Sequence, residues 1–155
     1  MRDRRMTNVI PSTAVRFARK YGEPVNATGT LTGARTDENV VFTFERISDT
    51  LVAVRVHIAL ANAVAANHIT WTPDVEGEID QFLPDGLSFE WGSAPGINND
   101  SAAMIGVFFE GATPAIRFGP GGSGYSVGVP TPPGFTDAEP CEVAATTLIF
   151  KSSIK

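Results

Sequence analysis

Two neighbouring runs of this chain alternate apolar and polar residues with a period of two, and they limit the possible folds more than any other feature. In residues 40–47, Phe42 and Phe44 share one face against Val41, Thr43 and Glu45 on the other. In residues 51–60, Val52, Val54, Val56, Ile58 and Leu60 oppose Ala53, Arg55, His57 and Ala59. Successive side chains of a strand point to opposite sides, so each run reads as a strand with one buried face. Ser48, Asp49 and Thr50 between them are turn-forming residues, which makes the pair an antiparallel hairpin.

Further short runs follow the same rule, separated by glycine and proline. We expect strands at 25–33, where Thr28, Thr30 and Thr32 alternate with Gly29, Leu31 and Gly33, and at 68–72, stopped by Pro73. Others are expected at 78–83, 87–91, 103–109, 115–118, 125–129 and 143–151. The alanine-rich stretch 61–67 reads as one helical turn or a crossover, and 84–86, 93–99, 110–111, 119–124 and 130–140 read as connections. The 15 glycines and 11 prolines among 155 residues supply the turns that nine or ten short strands need. The expectation is an all-β protein, an antiparallel β-sandwich or a jelly-roll-like barrel. No repeat of solenoid or propeller length is visible.

Residues 1–24 differ from the rest. Arg2, Arg4, Arg5, Arg16, Arg19 and Lys20 face only Asp3 there, giving +5 over the first twenty residues, so the remaining 135 carry −10 of the total −5. Ser12 is placed to cap a short helix whose apolar residues Ala14, Val15, Ala18 and Tyr21 recur at helical spacing before Gly22 and Pro24. We therefore divide the chain into a basic arm with a short helix, 1–24, and one β domain, 25–155. The six basic residues are the expected partner-binding set, drawn to anionic surfaces. Nucleic acid is disfavoured as that partner, because an acidic body opposes phosphate.

Cys141 is the only cysteine, so no disulfide forms within the chain, and it reads as a small packed hydrophobe. No apolar run reaches the length of a membrane-spanning helix, and 51–60 is interrupted by Arg55 and His57. The basic residues near the start are not followed by the apolar segment of a secretory signal.

Motifs that carry chemistry are weak. The loop 119–124 is glycine-rich but lacks the Lys-Ser/Thr pair of a phosphate-binding loop, so no cofactor is expected. Asp74, Glu76, Glu78 and Asp80, with Asp85 nearby, alternate as on a solvated strand face; calcium or a basic arm from another copy are the other readings, and the EF-hand order is absent. His57 and His68 stand in no metal-ligand or Ser/His/Asp pattern, and we expect neither a catalytic nor a metal site. Trp71 and Tyr125 are the candidates for stacking on a ligand, whereas Trp91, in step with Leu87 and Phe89, is expected in the core.

A compact glycine- and proline-rich β body behind a short arm resembles small virion proteins of bacteriophages, such as capsid decoration or tail components. That resemblance implies a non-enzymatic assembly protein of the virion, made in the host cytoplasm. It also implies a homo-oligomer, with trimers common in such roles, held to a capsid or tail by its arm and loops. A carbohydrate-binding β-sandwich module is the alternative reading.

Overall fold

The computed structural model of the protein describes residues 19–33, 38–62, 68–85, 89–98, 101–120 and 140–155. Eight strands are present among them: β1 (Val25–Thr32), β2 (Glu38–Arg46), β3 (Leu51–Asn62), β4 (Ile69–Pro73), β5 (Phe89–Asn98), β6 (Ser101–Glu110), β7 (Ala115–Pro120) and β8 (Pro140–Lys151). Every pairing is antiparallel, and the strands close into one barrel in the order β1-β2-β3-β8-β5-β6-β7-β4. The all-β expectation holds. Because β4 pairs with both β1 and β7, the sheet has no free edge, and the architecture is a closed barrel rather than two stacked sheets.

The strand order contains two Greek keys. Strands β1 to β3 run in sequence and β4 returns beside β1; β5 to β7 run in sequence and β8 returns beside β5. Adding four to each strand number turns the first unit into the second, and the β3–β8 and β7–β4 seams exchange under the same operation. The barrel thus has an internal topological two-fold.

Alternation decides what fills it. Ala27 and Leu31 of β1, Phe42 and Phe44 of β2, Val52, Val54, Val56 and Ile58 of β3, and Ile69 and Trp71 of β4 are all buried. Ala94 of β5, Ile105, Val107 and Phe109 of β6, Ile116 and Phe118 of β7, and Cys141, Val143, Leu148 and Phe150 of β8 join them, with Ile79, Phe82 and Leu83 from the segment after β4. An eight-stranded barrel has an interior just wide enough for side chains to fill. Here Trp71 stacks on Phe42 with ring centroids 4.8 Å apart, Phe44 lies 5.7 Å from Trp71, and Phe109 meets Phe150 edge-on at 5.5 Å.

One end of the barrel is closed by Arg46, the next inward position after Phe42 and Phe44. Its Nη1 donates to the carbonyls of Ser48 and Ser152 at 3.2 and 2.5 Å, and its Nη2 to the carbonyl of Gln81 and the hydroxyl of Ser152 at 2.8 and 3.2 Å. Ser152 is fully buried and donates to the carbonyl of Leu83 at 2.7 Å. One guanidinium therefore ties the β2–β3 turn, the segment around 81–83 and the chain beyond β8.

Several expectations change. Strand β3 runs on to Asn62, through the start of the stretch read as a helical turn, and β5 runs straight through 93–98, which reads as a connection. Residues 78–83 form turns and a short 3-10 helix, Asp80–Phe82, instead of a strand, because Gly77 takes a positive φ and the carbonyls of Gly77 and Ile79 accept from Asp80 and Phe82. The short helix expected from Ser12 lies outside the described residues except at its end, where the chain forms a 3-10 turn, Arg19–Tyr21. Arg2, Arg4, Arg5 and Arg16, and the strand expected at 125–129 with Tyr125, lie outside the described residues. No helix among the described residues is long and apolar enough to cross a membrane.

Candidate functional site

The two tryptophans occupy the reverse of their expected places. Trp71, a candidate for ligand stacking, is fully buried, and its Nε1 donates to the carbonyl of Val40 at 2.9 Å. A ring enclosed on both faces by core side chains cannot receive a ligand, and that assignment is corrected. Trp91, expected in the core, is 60 % exposed on the outside of β5.

The physical reason lies in what β5 turns inward. Through the middle of the strand its inner positions are Gly92, Ala94 and Gly96, registered against Val107, Ile105 and Ala103 of β6. A Cβ at Gly96 would overlap the backbone carbonyl of Glu142 on β8, and one at Gly92 would press on Leu148 at 3.3 Å. Large residues of β6 and β8 already fill this part of the barrel, so β5 places small residues inside, and its bulk falls outside.

The outer side of the β5–β6 ribbon is consequently apolar. Its outward pairs are Phe89 with Glu110, Trp91 with Phe108, Ser93 with Gly106, Pro95 with Met104, and Ile97 with Ala102. Of the ten, only Glu110 is ionisable. Trp91 stacks over Phe108 with centroids 6.5 Å apart and planes 22° from parallel, and Phe108 is buried beneath it. Met104 is 55 % exposed, and Ser93, Pro95 and Ala102 are exposed as well. Beside Phe108 on β7 lies Arg117, ion-paired with Glu110 at the end of β6. His68, just ahead of β4, feels that guanidinium: burial first, and then the Arg117 charge, lower its pKa below the ordinary 6.5.

The equivalent ribbon of the first Greek key provides an internal comparison. The outward residues of β1 and β2 are Asn26, Thr28 and Thr30 facing Thr43, Val41 and Asn39. Thr43 donates to Asn26 at 2.8 Å, and Thr30 to Asp74 at 2.7 Å. The same structural position thus carries a hydrogen-bonded polar surface in one half and an apolar one in the other. The architecture does not require the apolar version. Of the other exposed hydrophobics, Val41 is registered against Thr28 and Ile149 against Ala53.

The remaining sequence candidates do not converge on a site. Lys20 is exposed, with its ammonium 5.0 Å from the centre of the Tyr21 ring, and Arg19 belongs to the same 3-10 turn. Asp74, Glu76 and Asp80 line an open cleft of about 540 Å³ with the β6–β7 turn at 111–114. Among the described residues, no three His, Cys, Asp or Glu side chains are grouped to hold a metal ion. Glu78 does not line that cleft, and its Oε2 is buried without a hydrogen-bond partner. Cys141 is buried in the core while His57 is exposed on the outside of β3, so the barrel wall separates them. The chain matches no protein-family model and no curated protein, and its surface is therefore argued from its own residues.

Proposed function

We propose that this is a non-enzymatic assembly protein, a packed barrel that docks on other protein through the outer face of β5–β6 as a component of a larger structure such as a virion. The observation that carries this reading is the 60 % exposed Trp91, resting on Phe108 in a ribbon whose outward positions, Glu110 apart, are all non-ionisable on an otherwise acidic body. A contiguous apolar surface rimmed by polar residues is the usual mark of a protein-binding patch, and tryptophan is enriched at the centres of such contacts. The polar ribbon at the equivalent position of the first Greek key supports it, since it removes the fold as the cause. The basic residues Arg2, Arg4, Arg5, Arg16, Arg19 and Lys20 would add a second, electrostatic attachment.

Hydroxyl-radical footprinting of the native assembly beside the isolated chain tests this. Oxidation of Trp91 and Met104 is expected to slow severalfold in the assembly, with Val41 unchanged. Equal oxidation in both states would remove the docking role of this face.

A second reading, a carbohydrate-binding module, is favoured by the same indole lying in a row with the Arg117–Glu110 pair, because sugars combine an apolar ring face with hydroxyls that charged side chains bind. A glycan array with quenching of Trp91 emission tests it; Trp71, being buried, serves as the unquenched reference.

A further inference from the structure

We infer that the occupant of the β5–β6 outer face is a second copy of this chain, related by a two-fold axis that crosses the ribbon at Ser93 and Gly106. The inference rests on the reading of this face as a docking surface, and it names the partner.

Charge is the first argument. Outside the first twenty residues the chain carries −10, so two bodies repel wherever their carboxylates meet. Of the ten outward positions of the β5–β6 ribbon only Glu110 is ionisable, and it is ion-paired with Arg117 on β7; a further carboxylate beside the ribbon, Glu142 of β8, is registered against Ile97 at the end, away from the central pair. Two copies can approach at the centre of that face without bringing like charges together. A basic partner would gain little on this face, since it offers no unneutralised carboxylate in its centre; it would be drawn to the cleft of Asp74, Glu76 and Asp80 instead.

Shape is the second. Along the ribbon the outward pairs run bulky, small, bulky: Trp91 with Phe108, then Ser93 with Gly106, then Pro95 with Met104. A face-to-face two-fold across the middle pair reverses the strand direction. It brings the Trp91 indole of each copy over Pro95 and Met104 of the other, about 13 Å along the strand from its own position in the unreversed copy. The small central pair lets the two ribbons close up, and the flexible thioether of Met104 adapts to the ring edge, a favourable sulfur–aromatic contact. Each copy supplies both halves of the contact, as an isologous interface requires.

The test is the solution mass of the full chain by light scattering after size-exclusion chromatography, for the parent and for Trp91→Ser, Met104→Ser and Val41→Ser, with circular dichroism to establish that each is folded. The parent should run at twice the 16.5 kDa chain mass, or at another even multiple of it, and an odd-numbered assembly would overturn the two-fold. Trp91→Ser and Met104→Ser should each weaken self-association at least tenfold, and Val41→Ser should leave it intact. Should Trp91→Ser fail to fold, Met104→Ser alone decides. A parent that stays at one chain mass at every concentration, or an oligomer indifferent to both substitutions, overturns the second copy as occupant. A single-chain parent whose Trp91 is nonetheless protected in the native assembly would overturn this inference while sustaining docking on a different protein.

Discussion

Gly29 and Trp71 share one site in the barrel interior: a Cβ at position 29 would overlap the indole at Cε2 and Nε1 and approach the carbonyl of Thr72 at 2.6 Å. The ring can lie flat against β1 only because that strand has no side chain there. The arrangement places the indole between Phe42 and Phe44 and aims its Nε1 at the carbonyl of Val40. Overpacking a tight core costs about 1–3 kcal/mol. Gly29→Ala should fall near the top of that range, because one obstacle is backbone and cannot turn aside. Urea denaturation should give the loss, and Gly29→Ala combined with Trp71→Phe should be less destabilised than the two single losses added together.

The opposed settings of Trp71 and Trp91 predict a divided fluorescence signal from the chain's two tryptophans. In dilute protein, acrylamide should quench a red-shifted component and leave a blue-shifted one. Trp91→Phe should abolish the quenchable component alone, and Trp71→Phe the protected one. A single, uniformly quenched emission would contradict the buried placement of Trp71.

Arg46 should matter more than its place near a turn suggests. Replacing it with Met keeps the stem but removes donors to three carbonyls and one hydroxyl. Hydrogen bonds from a charged group contribute about 1.5–3 kcal/mol, and leaving buried acceptors unmet adds to the loss. Arg46→Met should therefore lower stability by about 2–4 kcal/mol. Arg46→Lys, with one ammonium in place of a planar fork, should recover less than half of it. Thermal denaturation followed by circular dichroism would show both.

Two groups should shape the pH dependence of stability, and both have the same sign. Asp85 accepts from the backbone N–H and the hydroxyl of Ser153 at 2.9 and 2.8 Å, and Lys155 lies 3.8 Å away. The Ser153 hydrogen bonds lead in lowering its pKa below the ordinary 3.8. Its contribution is present above that ordinary value and is lost as pH falls through the lower folded one. Asp85→Asn should flatten the acid limb of the stability curve below about pH 4. His68, lowered by burial and by Arg117, stabilises the fold above its ordinary 6.5 and less as pH falls through its folded value. His68→Gln should remove that decline, measured as the denaturation midpoint between mildly alkaline and mildly acidic buffer.

Local pattern was enough to establish strand character, because a period of two is a property of consecutive residues. The hairpin of Phe42 and Phe44 with Val52, Val54, Val56 and Ile58 stands where the alternation places it, with β2 at Glu38–Arg46 and β3 at Leu51–Asn62. The sequence also determined that the chain is all-β. Alternation cannot say which of two faces is inside, nor which strands meet around a barrel, for both depend on residues far away in the chain. On β5 the largest residue reads as core, yet the interior there is taken by Val107, Phe109, Leu148 and Phe150, so glycine and alanine turn inward and Trp91 turns out. The same crowding explains why Pro95 and Gly96 read as a connection but lie within a strand: Gly96 marks the close approach of β8, not a turn. Closure of the sheet, the double Greek key and the apolar outer face were decided by tertiary packing, because volume inside a barrel is shared among all its strands, and no strand sets its own share.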